Sequence, residues 1–457
     1  MKNIISNSAA LAATLLSFTA MGQVTNIGKI KLITLDPGHF HAALVQKTML
    51  KDVDANVHVY APAGQDLQAH LSKIDGYNKR PQDPSQWNEV VYTGTDFFNK
   101  MIAEKKGNVV VMAGNNLKKT EYVKRSIDAG FNVLGDKPMA IDNQHFEMLK
   151  SAFANAAKKK LVLYDIMTER YEITNNLQRE FSMIPEIFGK LKKGTPQNPA
   201  VEMVSVHYFY KYVSGSVLIR PSWFFDVKQQ GEGLQDVGVH LIDLAQWQCF
   251  PNRSINYKTD IKFNNAKRWP SEITLSQFKA ITKLDAFPEF LMKNVVKDTI
   301  LQVYANGSVN YQLFGTNIKL TAKWDYSAPP GSADSHNSLF HGTRADFAIR
   351  QGAEEKYQPT LYIEPLKNDA AYEQALMAKL KTVQAKYPGI ELKKNTKGWE
   401  VVIPEKYKDG HEAHFGRVTE KYLGYLRNGN MPKWEVPNMI AKYYTTTTAL
   451  ALAMKSK

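Results

Sequence analysis

The sequence predicts an α/β protein in two parts: a doubly wound parallel sheet, then an α+β domain with a large, mostly antiparallel sheet. Three observations carry this. From Lys29 to Tyr164, short β-branched apolar runs alternate with helical stretches, the alternation that builds parallel sheets. Turns rich in Gly, Pro and Asn close those runs. From about Ala200 the pattern changes to longer β-branched and aromatic runs separated by turn signals. The chain has 457 residues, 44% of them hydrophobic and 22% charged. That is a globular composition, long enough for two or three domains at roughly 150 residues each.

The chain opens with a short basic start, Met1-Lys2-Asn3, and an apolar, small-residue stretch from about Ala9 to Met21. Ala20-Met21-Gly22 puts small residues at −3 and −1 of a cleavage before Gln23. This is the layout of a secretory signal peptide over residues 1–22, and the apolar stretch is shorter than the roughly 20 residues of a membrane span. The expectation is export to the periplasm, with no membrane insertion of the mature chain. The single cysteine, Cys249, excludes an intramolecular disulfide framework and a Cys-rich zinc module. Lys and Arg outnumber Asp and Glu by 58 to 44, a net charge of +14. The basic clusters Lys158-Lys159-Lys160 and Lys190 to Lys193 are shorter than an interaction tail, so no nucleic-acid partner is expected.

Lys29 to Leu35 reads as the first strand, Pro37-Gly38 as its turn, His41 to Leu50 as a helix and Val57 to Tyr60 as the next strand. A dinucleotide fingerprint needs G-x-G-x-x-G, for a tight turn, close approach of backbone to pyrophosphate and close helix packing. Here the stretch is Asp36-Pro37-Gly38-His39-Phe40-His41, and only the central Gly remains. No acidic residue stands at the end of the second strand, where Tyr60-Ala61-Pro62 lies. Asn108 to Ala113 is a buried strand ending in Gly114-Asn115-Asn116. Lys118 to Ala129 is a helix stopped by Gly130, and Phe131 to Leu134 a strand followed by Gly135-Asp136-Lys137-Pro138. Asp142 caps a helix to about Ala157, and Lys160 to Tyr164 is the last strand. Ligands of such sheets bind beyond the carboxyl ends of the strands. That singles out Asp36 to His41, Asn115-Asn116, Asp136-Lys137-Pro138 and Asp165 to Arg170.

Two of these motifs carry a resemblance. Gly135-Asp136-Lys137-Pro138 resembles the E-K-P motif of the glucose–fructose oxidoreductase / inositol dehydrogenase family. About 100 residues on, Gly231 to Asp243 (GEGLQDVGVHLID) is similar to that family's G-G-G-x-x-x-D-x-G-x-H-x-x-D motif. Tyr164 to Glu172 and the loop Gly38-His39-Phe40-His41 point to a divergent secreted branch with an oxidoreductase C-terminal domain. The resemblance implies a Rossmann-like dinucleotide-binding domain over residues 23–165 and an α+β substrate and oligomerisation domain over 166–435. It implies NAD or NADP as cofactor, a carbohydrate as substrate partner, and a homo-oligomer paired through the second sheet. A closing helix, 436–457, is expected to pack back on the first domain.

Hydride chemistry at a hydroxyl carbon needs a base for the hydroxyl proton and a cation or donor near the developing alkoxide. By resemblance, Lys137 contacts cofactor ribose and substrate hydroxyl, His240 is the proton donor or acceptor, and Asp236 orients substrate or holds the Lys137 ammonium. Asp236 and His240 lie four apart, on one face if the segment is helical. An unperturbed imidazole pKa of about 6.5 suits exchange near neutral pH. Gly38, His39, Phe40, His41, Asn115, Asn116, Asp136 and Pro138 are the cofactor-binding candidates, and Tyr164, Asp165, Glu169, Arg170 and Trp223 the substrate-binding ones. Asp165, Thr168 and Glu169 read equally well as a helix start, and Trp223-Phe224-Phe225 as core. His411 and His414, with His336 and His341 elsewhere, match neither H-E-x-x-H nor a zinc-finger spacing, and no metal is assigned.

In the second half Val201 to Tyr212 reads as a strand, and Thr299 to Tyr304 with Ser308 to Phe314 as a hairpin about Asn306-Gly307. Ile318 to Trp324 is a further strand, and Asp369 to Tyr387, Glu412 to Arg427 and Asn438 to Met454 are helices. Residues 357–407 read as an insertion without a functional reading. The sequence favours an NAD(P)-dependent oxidoreductase acting on a sugar or glycoside hydroxyl. It also admits a redox-neutral glycoside-cleaving enzyme with Glu169 as extra base, or a carbohydrate-binding protein that has lost the dehydrogenase reaction.

Overall fold

The structure is a computed structural model, and residues 28–213 and 216–455 are described. The leader-like residues 1–22 lie outside them. The first sheet has six parallel strands: β1 (Leu32–Leu35), β2 (Asn56–Tyr60), β3 (Asn88–Tyr92), β4 (Val109–Met112), β5 (Asn132–Asp136) and β6 (Leu163–Ile166). Their spatial order is β3-β2-β1-β4-β5-β6. Every residue of β1 and β4 is buried, as expected of strands covered on both faces. The order reverses between β1 and β4, and the crevice beyond their carboxyl ends is where this architecture takes ligands.

The remaining strands are β7 (Val201–Tyr210), a small pair β8 (Tyr212–Val213) and β9 (Ser216–Val217), β10 (Ile261–Thr274), β11 (Val295–Val296), β12 (Ile300–Leu313), β13 (Thr316–Ser327), β14 (Ser335–His341), β15 (Ala345–Arg350), β16 (Thr360–Pro365), β17 (Glu391–Lys394) and β18 (Trp399–Val402). All but β8 and β9 form a ten-stranded sheet, β10-β12-β13-β7-β14-β15-β16-β18-β17, with β11 paired to β12. Only β13 and β7 run parallel. Residues 357–407 supply β16, β17, β18 and the helix Ala370–Lys386, so they extend this sheet.

Three elements differ from the sequence reading. The helix expected over 41–50 stops at Leu44. Tighter turns follow, and Gln46 is buried with its amide donating to Glu89 Oε1 at 2.6 Å. Strand β3 escaped the pattern because Val90 and Val91, its most β-prone residues, are exposed at the sheet edge. Asn306-Gly307 is no turn: β12 runs straight through it, and the chain reverses at Phe314-Gly315, both at positive φ. Asn306 instead fills an irregularity of β10, donating to Trp269 O and Ser271 Oγ and accepting from Trp324 N.

The helix Glu435–Lys455 joins the two cores. Its Met439 and Tyr443 pack in the first, and its Ala441, Ala449 and Ala453 in the second. Helix His411–Asn428 lies on the first core through Phe415, Val418, Tyr422 and Leu423, a stripe at helical spacing.

Candidate functional site

The motif from Gly231 to Asp243 folds as two helical pieces, Gly233–Asp236 and Gly238–Cys249, pressed against β12. Glycine is required on both sides of that contact. A Cβ on Gly233 would stand 2.0 Å from Ala305 O, and one on Gly307 2.6 Å from Leu234 Cγ. This packing points Asp236 at Lys137, which follows the end of β5. Lys137 Nζ donates to Asp236 Oδ1 at 2.6 Å and to its carbonyl at 3.0 Å. The ammonium and carboxylate keep only 12% and 5% of their exposure, so the pair is little screened by water.

Lys137, Asp236 and His240 face one cleft of about 480 Å³, between the carboxyl edge of the first sheet and β7, β13 and β14 of the second. The helix breaks at Val237, yet both motif side chains still reach the cleft. His240 Nδ1 is buried without a hydrogen-bond partner among the described residues. Burial, then the Lys137 ammonium and His207, push its pKa well below the ordinary value. His240 is therefore a neutral imidazole near neutral pH, not the half-protonated group that an unperturbed value implies. It is unprotonated and so free to accept a proton, while burial and Lys137 oppose the charged form.

The far wall was invisible to motif reading. His207 and Lys211 both contact Asp334 Oδ2, at 3.2 and 2.5 Å. Arg220 donates to Phe209 O and Tyr208 O and lies over the rings of Phe224 and Trp324. These groups come from separate strands and loops with no shared spacing. The one available signal is the pair Ser205 and His207, polar residues two apart in a strand rich in β-branched and aromatic residues.

Glu169 also lines the cleft. Burial, with the nearby charge of Glu172, raises its pKa to about 7. In the unfolded chain a Glu titrates near 4.5, so between pH 4.5 and 7 the unfolded state releases a proton that the folded state keeps. The contribution of Glu169 to stability should fall across that window and level off above it. Glu169→Gln should flatten the fall and raise stability at pH 8 by about 2–3 kcal/mol. Urea midpoints from pH 4 to 8 measure this, and parallel curves for both proteins would refute it.

The other substrate-binding candidates lie elsewhere. Arg170 forks onto Asp243 at 2.6 and 2.7 Å and reaches Glu435 at 3.0 Å. Lys442 bridges Asp243 and Asp165 at 2.8 and 2.7 Å. Tyr443 donates to Asp165, and Tyr164 to Glu435. Burial opposes ionisation of Asp243 and Glu435, but Arg170 and its neighbouring lysines outweigh it and hold both carboxyls low. Tyr164, Asp165 and Arg170 thus sit in a buried ionic cluster that ties β6 to the helices Gly238–Cys249 and Glu435–Lys455.

The cofactor-binding candidates divide. His39, Phe40 and His41 line the cleft. His41 Nδ1 lies 2.9 Å and His39 Nδ1 3.5 Å from Asp136 Oδ2. Pro138 follows a cis peptide bond from Lys137. Gly38 is covered: a Cβ there would meet Asp66 Oδ2 at 3.0 Å and Trp223 at 3.2 Å, and Trp223 Nε1 donates to that carboxylate at 2.9 Å. The Gly38 and His39 amides both donate to Ala113 O. Asn115 and Asn116 bond to Gln229 and Gln230 of the second domain.

A pyrophosphate at this loop would need free amides and positive potential. It would meet committed amides, an indole and two carboxylates. One of these, Asp36, is raised to about 6 by burial and by Asp66. Trp223 and Asp66 thus cover Gly38, where the diphosphate of a dinucleotide would approach.

The sheet order and the second sheet closing over its carboxyl edge are those of the two-domain nucleotide-dependent oxidoreductases. Residues 177–454 match the family described as "Putative oxidoreductase C terminal domain". A crystal structure of a "putative oxidoreductase" from Parabacteroides merdae is 53% identical, covers 94% of this chain and 98% of its own, and superposes with a TM-score of 0.92. The chain belongs to this oxidoreductase family. More distant structures share the fold. One is a "putative myo-inositol dehydrogenase" from Sinorhizobium meliloti, at 12% identity and TM-score 0.53, covering 94% and 98% of the two chains. Another is levoglucosan dehydrogenase in complex with NADH and levoglucosan, at 12% and 0.55, covering 93% and 97%. No curated protein matches the sequence.

Proposed function

We propose that this protein oxidises or reduces a hydroxyl-bearing carbon of a sugar or glycoside held in the cleft between its two sheets. The leader-like composition of residues 1–22 supports the further reading that it works outside the cytoplasm. The observation that carries the proposal is the Lys137–Asp236 contact, which joins residues 99 positions apart beside a neutral, half-buried His240. His240 takes the hydroxyl proton, the Lys137 ammonium faces the oxygen as charge develops on it, and Asp236 holds the ammonium in place. His207, Lys211 and Asp334 offer the donors and acceptors that a polyhydroxylated ligand needs on the opposite wall.

NAD or NADP is the proposed redox partner, as in relatives of the fold crystallised with NAD, NADP or NADH. The closed crevice attaches a condition: Trp223 and its neighbours must leave Gly38 when a dinucleotide enters. Titration with NADH and NADPH, followed by nicotinamide fluorescence, tests both points. Wild type should bind weakly, and Asp66→Asn, which removes a carboxylate facing the diphosphate, about tenfold more tightly. Absence of binding in folded wild type and variant would overturn the nicotinamide-dependent reading in favour of carbohydrate binding alone.

A further inference from the structure

We infer that His39, His41 and Asp136 form a binding site for a first-row divalent cation of the zinc class, on the floor of the cleft. The inference is independent of the redox reading and goes beyond it. Three ligand atoms, one from each residue, lie within 4.8 Å of one another. The two measured separations, 2.9 and 3.5 Å, bracket the edge of a tetrahedron whose metal–ligand bonds are about 2.0–2.1 Å, roughly 3.3 Å.

His41 Nδ1 and Asp136 Oδ2 share a hydrogen bond at 2.9 Å, but His39 Nδ1 and Asp136 Oδ1 are buried with no hydrogen bond among the described residues. Unmade hydrogen bonds at buried atoms are costly unless something else engages them. The cationic neighbours do not occupy the carboxylate. Lys119 Nζ donates to the carbonyl of Asp136 at 3.2 Å, and Lys137 is held by Asp236.

Two further features support a metal. His41 stacks on His411, with ring centroids 5.0 Å apart, which fixes the plane of the ligating ring. The imidazoles also stand in the loop where a dinucleotide protein keeps glycines. His41, at the position of the motif's last glycine, and His39 beside it therefore supply side chains that can ligate a metal. Two His and one carboxylate leave a coordination position open. Since His39 and His41 line the cleft, that position faces the space assigned to substrate. It would take a hydroxyl or carbonyl oxygen.

The test is a calorimetric titration of the chelator-treated full-length protein with Zn²⁺, without nucleotide, and a parallel Co²⁺ titration read by visible absorption. One equivalent should bind at micromolar affinity or tighter, with the intense d–d bands of a four-coordinate cobalt site. His41→Ala and Asp136→Asn should each weaken binding about a hundredfold or more. His341→Ala, which removes a surface imidazole paired with Asp346, should leave it unchanged. If a variant of the buried pair fails to fold, His39→Ala replaces it, because that side chain keeps 21% of its exposure. No saturable uptake by wild type, or uptake that survives loss of these ligands, would overturn the site. Nucleotide titration is a separate experiment, so either inference can fail alone.

Discussion

Arg170→Met should destabilise the protein by about 3–5 kcal/mol, the usual cost of removing one partner from a buried ion cluster. Arg170 makes four contacts of 2.6–3.2 Å to Asp243 and Glu435, and the side chains involved keep 6% of their exposure or less. Without it, Lys442 would be left to balance Asp165 and Asp243, and only the half-buried Lys421 would face Glu435. A urea unfolding curve measures the loss. The same variant decides what Arg170 is for. A structural cluster predicts the drop in stability, whereas a substrate hook predicts a higher KM at unchanged stability. A loss below about 1 kcal/mol would show that water reaches the cluster.

Lys137→Ala should lower kcat/KM on any sugar turned over by the wild type by about a thousandfold, the scale of losing one preorganised charge at a developing alkoxide. The effect should fall mainly on kcat, because the ammonium matters most when charge builds on the oxygen. Lys137→Arg should not restore activity, since a planar fork does not replace a point charge held at 2.6 Å by Asp236. Stability measured beside the kinetics separates this from unfolding. A variant that stays folded and keeps more than a tenth of the activity would remove Lys137 from the proton chemistry.

Much of the first sheet was legible because buried parallel strands are continuous apolar runs and their helices end at recognisable caps. Asp142, for instance, accepts from His145 N as a cap should. Strand β3 was not legible, since an exposed edge strand has no burial to imprint on its sequence. Asn306-Gly307 misled for a related reason. The glycine answers to Leu234, 73 residues earlier and a neighbour only in the fold.

The candidate site divides in the same way. Lys137, Asp236 and His240 stand in local motifs. The positions of Arg170 and Trp223 were set by partners far along the chain, Glu435 and Asp66. A charged residue after a strand looks the same in sequence whether it meets substrate or an internal counter-ion.

The helix Glu435–Lys455 gives the two cores a common component, and Glu435 and Lys442 complete the ionic cluster from its first two turns. Neither half of the protein can finish its packing while that helix is still unmade. A nascent chain would carry two unfinished cores and, in Asp165, a buried carboxylate without its Lys442 partner until translation has passed residue 455. Domain-by-domain maturation, the usual course for a chain of this length, is thereby replaced by a single late closure. A truncated product would be recognisable as incomplete along its whole length.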